Sequence, residues 1–201
     1  MGIEIERKYT VKHLPDDLEK YPVHIIEQGY LNVIPAIRVR RQDDKYYMTY
    51  KRKKDFGIAE GFAKAPTEEG AVSGKSLQDK GQEEIGQVEY NMLLDKESYE
   101  HLVAKADGNV IRKKRYLIPL NDDAFSEDYC SNNPEIRDAM TSKDIKIELD
   151  VFDTPFDGRI LAEVEFPSEE AAAAYKPADW FLEDVTGDVR YSNAHMSAEK
   201  L

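Results

Sequence analysis

Apolar and charged residues alternate with a period of two along several short segments, the pattern of strands with two chemically different faces. In the first, Ile3, Ile5 and Arg7 oppose Glu4, Glu6 and Lys8. Over residues 37–41, Ile37 and Val39 form an apolar face and Arg38 and Arg40 a charged one; over residues 46–51, Thr49 and Lys51 share a face. Further strands are predicted over residues 87–94, 110–120, 145–152 and 161–166. Residues 145–151 carry apolar side chains at odd positions and charged ones at even positions, and Glu163 and Glu165 lie opposite Ala162, Val164 and Phe166.

Helices follow from capping signals. Asp95 can cap a helix over residues 96–106, with Leu94 and Tyr99 as a hydrophobic staple and Gly108 just past its end. Pro167 and Ser168 open a second over 169–175, whose acidic first turn suits the helix dipole. A third short one is predicted over 134–140. Residues 55–84 and 121–144 show little periodicity and read as insertions, the first a long hairpin or loop and the second an irregular connection. One domain over residues 1–201 is expected.

Charge changes this picture because the polar faces are segregated by sign. Glu4 and Glu6, Glu148 and Asp150, and Glu163 and Glu165 are acidic, whereas Arg38, Arg40, Lys51, Lys113 and Arg115 are basic. Any one face alone fits a sheet with one side in water. Gathered in one interior, like charges would repel strongly unless a ligand filled the space. A polyphosphate with a divalent cation satisfies both walls, since guanidinium and ammonium groups hold phosphate oxygens and carboxylates hold a hard metal such as Mg²⁺ or Mn²⁺.

Glu4-Ile5-Glu6-Arg7-Lys8-Tyr9 resembles the ExExK signature of the CYTH superfamily, the triphosphate tunnel metalloenzymes. The resemblance continues in order through Gln28-Gly29-Tyr30-Leu31, Ile37-Arg38-Val39-Arg40, the Lys51 strand and Lys113-Lys114-Arg115-Tyr116, then through residues 147–152, 162–166 and 185–193. It implies a mainly β (α+β) fold, an eight-stranded antiparallel β-barrel tunnel with flanking helices.

Carried over by position, Glu4, Glu6, Glu163 and Glu165 would be metal-side carboxylates supported by Glu148 or Asp150. Arg38, Arg40, Lys51, Lys113, Arg115 and Arg190 would hold phosphate. Lys8, which also binds phosphate on this reading, and Tyr30 would activate the attacking water, a lysine crowded by cations being able to lose proton affinity and act as a base. The family often carries Arg-x-Glu-x-Glu-Tyr in the middle strand; here Ile85, Gln87, Glu89 and Tyr90 stand in that pattern, so a cation and a carboxylate are missing.

The remaining features exclude more than they add. The net charge of −12 argues against a nucleic-acid backbone as partner, and Lys51-Arg52-Lys53-Lys54 reads as Lys51 on the polar face with solvated neighbours. No Walker-type phosphate loop occurs. The single cysteine, Cys130, and four histidines show no metal-ligand spacing. No apolar run approaches the roughly 20 residues of a membrane span. A cytoplasmic protein is expected, and a homodimer is compatible with the sequence. The expected activity is metal-dependent hydrolysis of a triphosphate, inorganic tripolyphosphate first; a class IV adenylyl cyclase and a non-catalytic polyphosphate binder are the alternatives.

Overall fold

The computed structural model describes residues 2–53 and 87–201. The expected insertion over 55–84 and Ile85 of the departing motif lie outside them.

Among the described residues nine strands form one antiparallel sheet: β1 (Gly2–Val11), β2 (Val23–Val33), β3 (Ala36–Gln42), β4 (Lys45–Lys53), β5 (Gln87–Leu94), β6 (Asp107–Pro119), β7 (Lys146–Phe152), β8 (Ile160–Phe166) and β9 (Phe181–Asp184). Their order is β5-β4-β3-β2-β6-β7-β8-β1-β9. β5, at one end of that order, also pairs with β1, Gly2 with Glu89, Ile3 with Val88 and Glu4 with Gln87. The mainly β, antiparallel architecture is as expected, with a ninth strand added. That strand, β9, is only four residues long and pairs with β1 at Tyr9 and Val11 across an irregular register.

Alternation sends the two faces to different environments. Ile5, Tyr9, Ile147, Leu149, Val164 and Phe166 are buried in the larger apolar core, shared with the helices α2 (Glu127–Asn132), α3 (Pro134–Ser142) and α4 (Glu169–Ala174) or the turns beside them. The opposite face carries the charged positions. A second, smaller core gathers Tyr30, Ile111, Phe152, Phe156 and Leu161 around Met196 of α5 (Asn193–Ala198). The polar face therefore runs into an apolar end.

The caps explain the helices. Asp95 accepts from the Ser98 amide at 2.7 Å and starts α1 (Lys96–Val103). Ser168 accepts from the Ala171 amide at 3.1 Å and starts α4. Pro134 opens α3 in the first turn, where a missing amide costs nothing. Residues 121–144 are not an irregular connection: Ser126 caps α2, and α3 follows almost at once. Helix α1 ends three residues earlier than predicted, because β6 already begins at Asp107. Gly108 is accordingly a strand residue with φ +69°, not a helix cap. A Cβ there would lie 2.0 Å from the carbonyl oxygen of Ser197, so glycine is what lets α5 close on β6. No helix among the described residues is long and apolar enough to cross a membrane.

Candidate active site

Cross-strand register brings the predicted charged residues onto one face. Lys8 stands opposite Glu163, Glu6 opposite Glu165, Glu148 opposite Glu163, Arg115 opposite Asp150, Arg38 opposite Thr49, and Lys51 opposite Glu89. The face also curls, since groups on non-adjacent strands meet. Lys51 of β4 pairs with Glu4 of β1, and the charge of Arg40 on β3 is felt together with those of Arg115 on β6 and Asp150 on β7.

The deepest part is an ion-pair ladder. Lys113, 2% exposed, and Arg115, 8% exposed, both bind Asp150, which is withdrawn from solvent altogether. Arg115 donates from Nε and Nη2 to the two oxygens of Asp150 at 2.6 Å each, from Nη2 to Glu163 at 2.6 Å, and from Nη1 to Glu148. Lys8 Nζ lies 2.8 Å from Glu163 and 3.8 Å from Glu6. Buried charges need such partners, because an isolated ion in a low-dielectric interior is strongly penalised.

Proton affinities follow from these contacts. Burial opposes the charge of Lys8, yet Glu163 and then Glu6 raise its pKa above the ordinary lysine value. The expectation that cations crowd Lys8 and lower its proton affinity is thus corrected: its neighbours are carboxylates. Lys113 is the lysine that is depressed, to about 8, by burial and then by Arg115, with Asp150 opposing. Glu163 is held well below the carboxylate range by Lys8, Arg115 and Lys113 despite its burial.

The basic side of the face is less satisfied. Arg40 is lowered to about 10 by burial, then by Arg38 and Arg115. Its Nη2 donates to Gln42 at 2.6 Å, but its Nε, like that of Arg38, is buried without a partner among the described residues. Buried donors left unpaired are rare in folded proteins, and here they belong to two neighbouring cations on one strand. This is a site prepared for an anion.

At the acidic side the carboxylates repel one another. Glu4 is raised to about 7 by burial, with Glu6 and Glu89 adding to the effect against Lys51. Glu165, on the exposed part of β8, is raised by burial and then by Glu148, Glu6 and Glu89. Among the described residues no three carboxylate, histidine or cysteine groups are gathered closely enough to hold a metal ion as they stand, since Glu4, Glu148, Asp150 and Glu163 each lean on a cation. The chemistry of the set still fits a divalent cation that takes oxygen ligands, for several hard donors share one face and two of them, Glu4 and Glu165, are raised by burial and then by neighbouring carboxylates.

Two predicted residues sit apart. Tyr30 shares this face at 4% exposure but lies in the apolar end cluster with Ile111 and Met196. Arg190 lies in a 3-10 turn (Val189–Tyr191), its side chain 74% exposed and bound to Asp188, so it is not on the sheet. The structure also adds residues that sequence reasoning did not assign. Thr49, 1% exposed, donates to Asn91 at 2.6 Å, and Asn91 donates to Glu89 at 2.7 Å, continuing the polar face across β4 and β5. Their signal was the same alternation, at Thr49, Lys51, Glu89 and Asn91. Gln28 is buried on β2 beside Arg40.

A curled antiparallel face on which cations oppose carboxylates is chemically suited to a polyanion. The chain is 31% identical over 194 residues to an inorganic triphosphatase of Nitrosomonas europaea, covering 94% of this chain and 93% of the relative. It is 28% identical over 199 residues to an inorganic triphosphatase of Acetivibrio thermocellus, covering 98% and 94%. A crystal structure of the inorganic triphosphatase NE1496 superposes with a TM-score of 0.58 at 28% identity, covering all of this chain and 97% of that one. No family model matches the chain. The chain belongs to the CYTH-like triphosphate tunnel family, with the inorganic triphosphatases.

Proposed function

We propose that this chain is a hydrolase of phosphoanhydride bonds acting on a linear triphosphate, inorganic tripolyphosphate first, with a divalent cation, Mg²⁺ or Mn²⁺. The observation that carries this reading is the pair of neighbouring arginines, Arg38 and Arg40, whose buried Nε groups have no partner among the described residues, on a face that also carries an acid-rich wall, in a chain related along its length to inorganic triphosphatases. The return pairing of β5 on β1 supports a closed eight-stranded tunnel, with β9 outside it. On this reading residues 1–201 are one domain built around that tunnel, working in the cytoplasm.

Arg38, Arg40 and Lys51 would bind phosphoryl oxygens, the guanidinium forks matching them bidentately. Glu4, Glu6 and Glu165, with Glu148 in support, would hold the cation, which when bound neutralises phosphate charge and polarises the phosphoryl group. Lys113 and Arg115 already bind Asp150 and Glu163, so their role is to keep the acid wall in place as much as to attract phosphate. Lys8, kept protonated by Glu163 and Glu6, orients the attacking water and the terminal phosphoryl group through its N–H donors, and Tyr30 borders that space. The water oxygen bonds to the terminal phosphorus as the bridging P–O bond breaks, giving orthophosphate and pyrophosphate while the proton passes to solvent. Positioning and charge stabilisation supply most of such catalysis.

Two variants test the assignment. Glu4→Ala and Arg40→Ala should each lose more than tenfold activity, and a smaller loss in either sinks it. Incubation with ATP separates the cyclase: cyclic AMP with pyrophosphate would identify that activity, orthophosphate the hydrolase.

A further inference from the structure

Gln28 is among the largest side chains fully withdrawn from solvent, at 1% exposure, and its Nε2 has no hydrogen-bond partner among the described residues. A buried donor left unpaired destabilises the fold, a cost that leucine or methionine would avoid. Its surroundings supply a reason for the amide. Gln28 stands directly across from Arg40 on β3 and from Ile111 on β6, and the next residue on the same face, Tyr30, stands across from Arg38. Directly opposed residues on antiparallel strands hold their Cβ atoms about 5 Å apart, so the amide lies within side-chain reach of the Arg40 guanidinium.

Three donors without an acceptor therefore cluster on two neighbouring strands: Nε2 of Gln28, Nε of Arg38 and Nε of Arg40. The acids whose charges reach Arg40, Asp150 and Glu148, are already bound by Lys113 and Arg115. Beyond Gln28 on the same face the lining turns apolar, at Tyr30 and Ile111 against Met196.

We infer that Gln28 is a substrate-binding residue, its Nε2 donating to a non-bridging oxygen of the innermost phosphoryl group beside Arg38 and Arg40. This rests on the triphosphate reading above. A neutral donor suits the position, since it adds a hydrogen bond to the anion without a third cation next to two that already repel each other.

Gln28→Met keeps the side-chain length and removes the donor. The metal-free, substrate-free variant should melt at or above the temperature of the unaltered protein, because an unpaired buried donor has gone. Its KM for tripolyphosphate should rise about tenfold while kcat changes less than threefold. Calorimetric binding of tripolyphosphate in EDTA should weaken in parallel. Unchanged KM and unchanged binding overturn the inference, and a lowered melting temperature with unchanged KM marks Gln28 as purely structural. Should Gln28→Met not fold, Gln28→Asn withdraws the amide by one methylene and must show the same rise in KM. Absence of tripolyphosphate hydrolysis by the unaltered protein would instead overturn the functional reading beneath it.

Discussion

Asp150 holds together the two most deeply buried cations of the site, and its removal is the most informative structural perturbation. The Asp150→Asn variant keeps the shape and deletes the charge. Arg115 would retain Glu148 and Glu163, but among the described residues Lys113 has no other carboxylate as a direct ion-pair partner. Breaking a buried pair by removing one member costs about 3 to 5 kcal/mol. The lower end is expected here, because Lys113 is already depressed to about 8 by burial and can escape by releasing its proton. A loss of about 3 kcal/mol corresponds to a fall in Tm of roughly 6 to 12 °C for a chain of this size.

The pH dependence has a definite sign. A lysine whose folded pKa lies below its unfolded value destabilises the fold at low pH, and stability returns as pH rises through the folded value. The variant depresses Lys113 further, so its deficit against the unaltered protein should be larger at pH 6.5 than at pH 9, narrowing as pH rises toward about 8 and levelling above it. Urea unfolding followed by far-ultraviolet circular dichroism at the two pH values measures it. A loss below about 1 kcal/mol at pH 6.5, or a deficit that grows with pH, refutes the reasoning.

Other expectations follow from single contacts. Arg40→Gln removes a cation with an unpartnered Nε; charge-assisted hydrogen bonds are worth about 1.5 to 3 kcal/mol, so kcat/KM for tripolyphosphate should fall about tenfold to a hundredfold. Glu4 is raised to about 7, and a cation must displace its proton, so calorimetric Mn²⁺ affinity should rise about fivefold between pH 6 and pH 7 and then level off; Glu4→Gln should remove that dependence. Because Glu4 binds a proton more tightly folded than unfolded, its contribution to stability is full below about 4.5 and is lost as pH rises through 7. Gly108→Ala forces a side chain into a left-handed conformation and against the Ser197 carbonyl, and should cost at least about 1 to 2 kcal/mol of unfolding free energy by urea titration.

Where each side of a strand meets a different medium, the sequence was readable. β1, β3, β7 and β8 pack one face in a core and turn charges to the other, so their alternation is clean. β2 escaped because Ile25 and Ile26 are adjacent and Gly29 interrupts it; that glycine is set by tertiary contact, a Cβ there meeting Ala106 Cβ at 2.6 Å. β9 and α5 are too short for a period to show, and depend on β1 and β6 for their place. Which charges share one face was legible from charge segregation, but the pairing among them was not. Which lysine is cation-crowded and which is held by carboxylates depends on register across strands far apart in sequence, and this reversed the reading of Lys8 against Lys113. Arg190 had the right charge in the right block but stands in a turn off the sheet.

Orthophosphate release from tripolyphosphate by the purified chain, with and without added Mg²⁺ or Mn²⁺, is the decisive measurement. Equimolar orthophosphate and pyrophosphate are expected, dependent on the cation and abolished by EDTA. Tight tripolyphosphate binding with no product over hours, or turnover of equal rate in EDTA, would contradict the proposed metal-dependent hydrolysis.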